Sequence, residues 1–220
     1  MKKTIIFGAT QLAEQVIEGI LEDHQHDIVA ISVEEQYIKE KKFKGFSVIP
    51  FESINKKSYN PNEYNFIVCV GYNSMNNTRK RLFKLIKEKG YSITNYIHST
   101  ALVLSKDIGE GSLIFENVVI GRFAKIGIGN IFYPCSLFAH HSTAGDFNFF
   151  AIASSVAGNV TIGNNCFIGN NATTKDSIKI SDYTLIGAGS YIAINTEPYG
   201  VYVPAKSIKL YDMKSTDFKL

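Results

Sequence analysis

From residue 102 onward the chain repeats itself every six residues. Aliphatic or aromatic side chains recur at Leu102, Ile108, Ile114, Ile120, Ile126, Phe132 and Phe138. They continue at Phe150, Val156, Ile162, Ile168, Ile180, Ile186 and Ile192, with Ala144 and Thr174 as the weak members. The next position is often glycine: Gly109, Gly121, Gly127, Gly145, Gly163, Gly169 and Gly187. The fifth position is small, as at Ser112, Ala124, Ser136, Ser142, Ser154, Cys166 and Ser190. An α-helix has period 3.6 and a strand period 2, so neither produces this pattern. A coil of three short strands does, because every sixth residue then points into a triangular prism and stacks on its equivalent one coil away. The small fifth residue faces the same crowded interior, and the glycine lets the corner backbone take positive φ. The register runs unbroken over residues 102–191, or fifteen hexads, which makes five coils. At about 4.8 Å per coil the prism is roughly 24 Å tall.

Residues 1–97 read differently. Thr4–Phe7 is a buried strand, Gly8–Ala9–Thr10 a turn, and residues 11–22 a helix with Leu12, Val16, Ile17 and Ile20 on one face. Ile28–Val33 and Asn65–Val70 are further strands. Asn76 or Asn77 caps a helix that runs to Lys89 and stops at Gly90. Alternating strands and helices predict a small Rossmann-like parallel α/β unit. The segment 96–101 is the joint, so the expected domains are an α/β unit over 1–97, a β-helix over 98–206 and a tail over 207–220.

The net charge of +3 is too small to argue for nucleic acid. No apolar run reaches the ~18 residues a membrane span needs, and MKKTIIFGAT lacks the long apolar core of a signal peptide. The cytoplasm is the expected compartment. Cys69, Cys135 and Cys166 are too widely spaced for a disulfide framework or a zinc motif and read as core or corner residues. The basic run Arg79, Lys80, Arg81 reads as a solvated helix face.

A strand, a glycine turn and a helix suggest phosphate binding at a helix N-terminus. Thr10 and Ala13 stand where G-x-G-x-x-G needs glycine, which argues against NAD or FAD. The unit is either a structural cap or a nucleotide-sugar site at the C-terminal edge of its strands. In the second case Gly8, Ala9, Thr10 and Gln11 face a diphosphate, and Glu34, Tyr72 and Asn73 line the same edge.

The chain resembles the hexapeptide-repeat sugar O- and N-acetyltransferases, those acting on sialic acid, bacillosamine, perosamine and viosamine. The residues carrying the resemblance are IIFGATQLAEQV, VGYN, YIHSTA, AHHSTAGDF, VAGNVTIGNNCFIGNNA and IGAGSYI…VPAKSIK. The resemblance implies a left-handed prism, a homotrimer, an acyl-CoA (most simply acetyl-CoA) between two prisms, and no metal. It also implies a nucleotide-linked amino sugar held by the α/β unit, in surface glycan synthesis. In such proteins a His followed by an acid stands five residues before the Gly of an I-G-D/E hexad. Gly145–Asp146 sets that register here, so His140 is the general base, and His141 stands where the acid would be. A further His is replaced by Phe149.

A histidine titrating near neutrality suits removal of a proton from an attacking amine. His141 either orients that base or merely lines the groove. By the same register the N–H of Gly158 is an oxyanion donor, and Asn170, Ala188 and Lys206 contact CoA, although Lys206 can equally be a solvated lysine. Phe147 and Phe149 are expected at the groove, where Phe149 would shape the acyl pocket. His24 and His26 fall in a loop, His98 at the joint, and no H-x4-H pair supports a zinc enzyme on this fold. The expected reaction is acyl transfer to the amine of a nucleotide-linked amino-deoxy sugar. Sugar O-acetylation and a non-catalytic scaffold are the alternatives.

Overall fold

The computed structural model describes residues 2–207 and Thr216. Its N-terminal part is a six-stranded sheet in the order β3-β4-β2-β1-β5-β6. The strands are β1 Lys3–Phe7, β2 Asp27–Val33, β3 Lys42–Phe43, β4 Phe46–Pro50, β5 Tyr64–Val68 and β6 Ser92–Ile93. All pairs are parallel except the β3–β4 hairpin. Two helices, α1 Gln11–Asp23 and α2 Asn77–Glu88, pack on opposite faces. Leu12, Val16, Ile17 and Ile20 of α1 join Ile6, Ile31 and Ile67, whereas Leu82, Phe83 and Ile86 of α2 join Ile5, Phe7, Phe66 and Val68. That split follows from the period-2 alternation of β1 against the helical period.

The remainder is a left-handed parallel β-helix. Its three faces are sheets of seven, six and five strands, each strand two residues long. The first face begins with Tyr96–Ile97, the second with Leu102–Val103 and the third with Asp107–Ile108. Five complete coils result, followed by Leu185–Ile186, Tyr191–Ile192 and Val201–Tyr202. Backbone N–H groups reach the next coil, as in Leu113 N to Asn130 O at 2.9 Å and Thr143 N to Val160 O at 2.8 Å. The interior is the column of hexad side chains, with Phe132 and Phe150 stacked at 4.3 Å. Fifth-position Asn130 and Asn148 form a buried ladder: Asn148 N donates to Asn130 Oδ1 at 2.9 Å and Cys166 N to Asn148 Oδ1 at 2.7 Å.

Several local expectations are corrected. Tyr96–Ile97 pairs with Leu113–Ile114, so it is the first prism strand and not part of the joint. Val103, not Leu102, aligns with Ile120; Leu102 is 52% exposed, because the first coil is one residue short. β5 ends at Val68. Asn76 does not cap α2; its side chain donates to Cys166 O of the prism at 3.2 Å. Positive φ falls at the fourth hexad position, as at Asn117, Phe123, Cys135, His141, Phe147, Ala153 and Asn159, and not at the glycines of the second. Those glycines serve close approach between coils: a Cβ on Gly121 would lie 2.6 Å from His140 N, and one on Gly169 2.6 Å from Ala188 N.

The outward residues of the first face, Tyr96, Leu113, Ile131 and Phe149, form one cluster with α1 and the sheet. Arg79 was expected on a solvated face, but it is 0% exposed. Its guanidinium donates to Val70 O and Gly71 O on one side and to Gly129 O and Asn148 O on the other. Burial pushes its pKa down to about 9, which leaves it charged at neutral pH. The α/β unit is thereby seated on one face of the prism.

Candidate functional site

His140 and His141 lie on the corner between the second and third faces, in the turn between Leu137–Phe138 and Thr143–Ala144. A third-position side chain at such a corner points away from the prism, and both imidazoles are exposed. The His140 ring rests on Gly158 of the next coil. A Cβ there would stand 2.6 Å from His140 Cε1 and 2.9 Å from Nε2, so only glycine leaves room for the ring in this position. Asn159 N donates to His140 O at 3.1 Å, which ties the two turns together. On the neighbouring corner the third-position N–H groups of Ile128, Asp146 and Asn164 donate to Asp146, Asn164 and Asp182 side chains. No side chain does this for Gly158, whose N–H has no acceptor among the described residues.

His140 Nδ1 lies 3.1 Å from His141 Nδ1, and the two rings are edge-on at 82°. With Nδ1 so engaged, Nε2 is the nitrogen left open above Gly158. His141 has φ +59, and its ring packs on Phe123 at 4.8 Å. The sequence-predicted trio His140, His141 and Gly158 is therefore brought into contact. Gly158→Ala is expected to displace the His140 ring while circular dichroism stays that of the parent; with His140 as the base of an acyl transfer, kcat would fall at least tenfold, about 1.4 kcal/mol of barrier.

A second feature is a cleft of about 930 Å³ at the C-terminal edge of the α/β sheet. Gly8, Ala9, Thr10, Glu34 and Asn73 all line it. Gly8 sits at φ +124 with a Cβ position only 2.6 Å from Cys69 O, so the turn after β1 requires glycine. The first turns of both helices reach the cleft, through Thr10 before α1 and Thr78 of α2, and neither helix has a side-chain N-cap. Uncapped N–H groups and aligned peptide dipoles make this edge suited to anionic groups. Arg81 forks onto Glu34 at 2.9 and 2.6 Å and holds its carboxyl below the usual range. Lys39, Lys42 and Arg81 also line the cleft; nothing in the sequence singled out Lys39 or Lys42, since their neighbours come from the β3–β4 hairpin.

Other expected residues fall elsewhere. Gln11 lines a separate acidic depression along α1 with Glu14, Glu18 and Glu116. Tyr72 turns from the cleft to the prism, edge-on to Phe149 and Phe167 at 5.0 and 5.1 Å. Phe149 is 4% exposed, stacked on Phe167, and Phe147 is 4% exposed against Phe83. Both belong to the contact between the two units, so neither lines a groove: Phe149 lies on the face the α/β unit covers and Phe147 at the corner beside it. Asn170 and Ala188 are exposed on the corner between the first and second faces, in successive coils joined by Gly189 N to Asn170 O at 2.8 Å. Within one chain they stand across the second face from His140. Lys206 is exposed in the segment after Val201–Tyr202. Among the described residues no group of His, Cys, Asp or Glu is placed to hold a metal ion, and no helix is long and apolar enough to cross a membrane.

No family model matches the chain. It is 34% identical over 108 residues to chloramphenicol acetyltransferases of Morganella morganii and Klebsiella aerogenes. That match takes in 43% of the chain, which spans about half (51%) of the length of these relatives. In three dimensions it is similar to the acetyltransferase domain of PglB from Neisseria gonorrhoeae, with TM-score 0.82 at 21% identity over 94% of this chain and 100% of that one. That domain has also been crystallised with acetyl coenzyme A. The chain is likewise similar to a histidine-to-alanine mutant of GDP-perosamine N-acetyl transferase from Caulobacter crescentus in complex with CoA and GDP-perosamine. There the TM-score is 0.79 at 21% identity, over 93% and 94% of the two chains. At these identities the likeness establishes the shared two-part fold.

Proposed function

We propose that the protein is an acetyl-CoA-dependent acyltransferase that acetylates the amine of a nucleotide-linked amino-deoxy sugar. The observation that carries this reading is the exposed His140 imidazole seated on Gly158, with Nε2 open beside an N–H that has no acceptor among the described residues. The acceptor amine attacks the thioester carbonyl and gives its proton to His140 Nε2. The Gly158 N–H stabilises the oxyanion that forms. Collapse expels the CoA thiolate, which takes up a proton, and the amide is released. No covalent enzyme intermediate is needed.

The nucleotide diphosphate occupies the cleft at Gly8, Ala9, Thr10 and Asn73, where two helix N-termini meet Lys39 and Lys42. That cleft belongs to the unit on the first face, whereas His140 lies on the opposite corner of the prism. The site is thus completed by a second copy, and a homotrimer provides it. Leu102, Leu137 and Tyr191, exposed on the second face at 52%, 37% and 64%, supply apolar surface for that contact. Asn170, Ala188 and Lys206 are proposed to line the path of CoA. The neighbours with CoA and GDP-perosamine bound support this class of donor and acceptor. Both substrates are intracellular metabolites, consistent with a cytoplasmic enzyme feeding surface glycan synthesis.

The test is thiol release from acetyl-CoA against UDP-, dTDP- and GDP-linked 3-amino and 4-amino sugars, with chloramphenicol and free sialic acid in the same panel. Turnover with an amino sugar is expected. Release only with a hydroxyl acceptor would replace this reading by O-acetylation, and none at all from the folded trimer would leave a binding scaffold.

A further inference from the structure

The geometry points to His141 as the positioning residue for His140: a neutral imidazole that fixes the tautomer of the base. The inference rests on His140 being that base. Two imidazole nitrogens 3.1 Å apart hydrogen-bond only if one carries a proton and the other a lone pair. Two N–H groups would set hydrogens against each other, and two lone pairs would repel. The pair therefore holds a single Nδ1 proton. A base working through Nε2 needs its own proton on Nδ1, so His140 donates and His141 accepts, with the His141 proton on its Nε2.

The His141 ring is held for this task from three directions. Its backbone is left-handed at φ +59, its N–H donates to Arg122 O at 3.1 Å, and its ring lies on Phe123 at 4.8 Å. The charged side chains of the elements packed against this corner are Arg122 and Lys125 in the coil before. The following coil, residues 157–162, carries none, and neither does the turn itself. Among the described residues, no carboxylate of the same chain on these elements therefore compensates the imidazolium that forms on His140 during turnover.

Two consequences separate this arrangement from a histidine–carboxylate pair. A neutral acceptor stabilises the imidazolium by one hydrogen bond without the attraction of a full negative charge. The device also fails when His141 itself takes up a proton, because the lone pair that fixed the tautomer is gone.

The experiment compares pH profiles of kcat for the parent, His141→Ala and His141→Asp, using whichever acceptor turns over. Alanine is tolerated at this backbone geometry, since Ala153 takes φ +54 at the same hexad position, and melting curves check that each variant folds. His141→Ala is expected to lose about tenfold or more in kcat with both KM values unchanged, because His140 then samples the wrong tautomer. His141→Asp is expected to restore most of that loss at pH 8 and to move the acid limb upward, because a carboxylate charge favours the imidazolium. A folded His141→Ala enzyme with parental kcat, or an Asp variant with the parental acid limb, overturns the assignment. His140→Asn in parallel keeps the two readings apart. If it stays active, His140 is not the base; if it is inactive while His141→Ala is indifferent, only the present inference falls.

Discussion

Replacing His140 by asparagine is expected to lower kcat by two to four orders of magnitude, the usual contribution of a positioned general base. Both KM values and the melting temperature should stay near those of the parent. The reasons are local. The ring is exposed and packs on Gly158 and His141, so its loss leaves no buried cavity. Asparagine is also smaller and neutral, and it fits above the glycine without moving the turn. What it lacks is a nitrogen lone pair that can take a proton near neutrality. Steady-state kinetics by thiol release, with a melting curve on the same sample, make the check. A variant within threefold of the parent would remove the base from His140 and with it the proposed mechanism.

Replacing Arg79 by methionine should have the largest effect on stability, on the order of 3 kcal/mol or more. Four backbone carbonyls share one guanidinium at 2.7–3.1 Å: Gly129 and Asn148 in fully buried bonds, Val70 and Gly71 in partly buried ones, with Asn148 O also accepting from Ile131 N. Methionine fills much of the volume and satisfies none of them, and each buried carbonyl left unpaired costs about 1–3 kcal/mol before relaxation. Among the described residues no carboxylate pairs with this cation, so the carbonyl dipoles offset the burial of its charge. Arg79→Lys should fall between, because a single ammonium with three protons cannot span both sides of the contact. Urea unfolding gives the comparison through the midpoint. A methionine variant within 1 kcal/mol of the parent would mean that the apolar cluster of Ile131, Phe149 and Phe115 holds the two units together without it.

The prism was readable because its repeat is a property of consecutive residues. A side chain that must point inward every six positions shows itself wherever it stands, and Ile114 to Ile192 do so. His140 is singled out by the resemblance, which places a base five residues before the Gly of an I-G-D/E hexad, a register that Gly145–Asp146 supplies; the repeat alone shows only that it stands at a corner. Even within the repeat, the reason for a residue was less visible than its place. The glycines sit where expected, yet they make room for the next coil while Asn117, His141 and Ala153 take the left-handed turn. Leu102 had the right chemistry and the wrong face, because one residue fewer in the first coil shifts the alternation and period-2 structure converts that into a reversal.

Outward positions carry no such signal. Phe149 and Leu137 both stand first in a two-residue strand, both apolar, and the repeat treats them alike. One is buried and the other 37% exposed, since the α/β unit docks on the first face and leaves the second open. The same docking took Arg79 out of solvent and turned Tyr72 toward the prism, whereas Gln11 stands apart from the cleft that Gly8, Ala9, Thr10, Glu34 and Asn73 share. Contacts between segments about 50 to 90 residues apart, such as Arg79 with Gly129 and Asn76 with Cys166, depend on how two finished surfaces meet. Local patterning dictates what each surface offers, and the packing free energy of the pair decides which part of it is used.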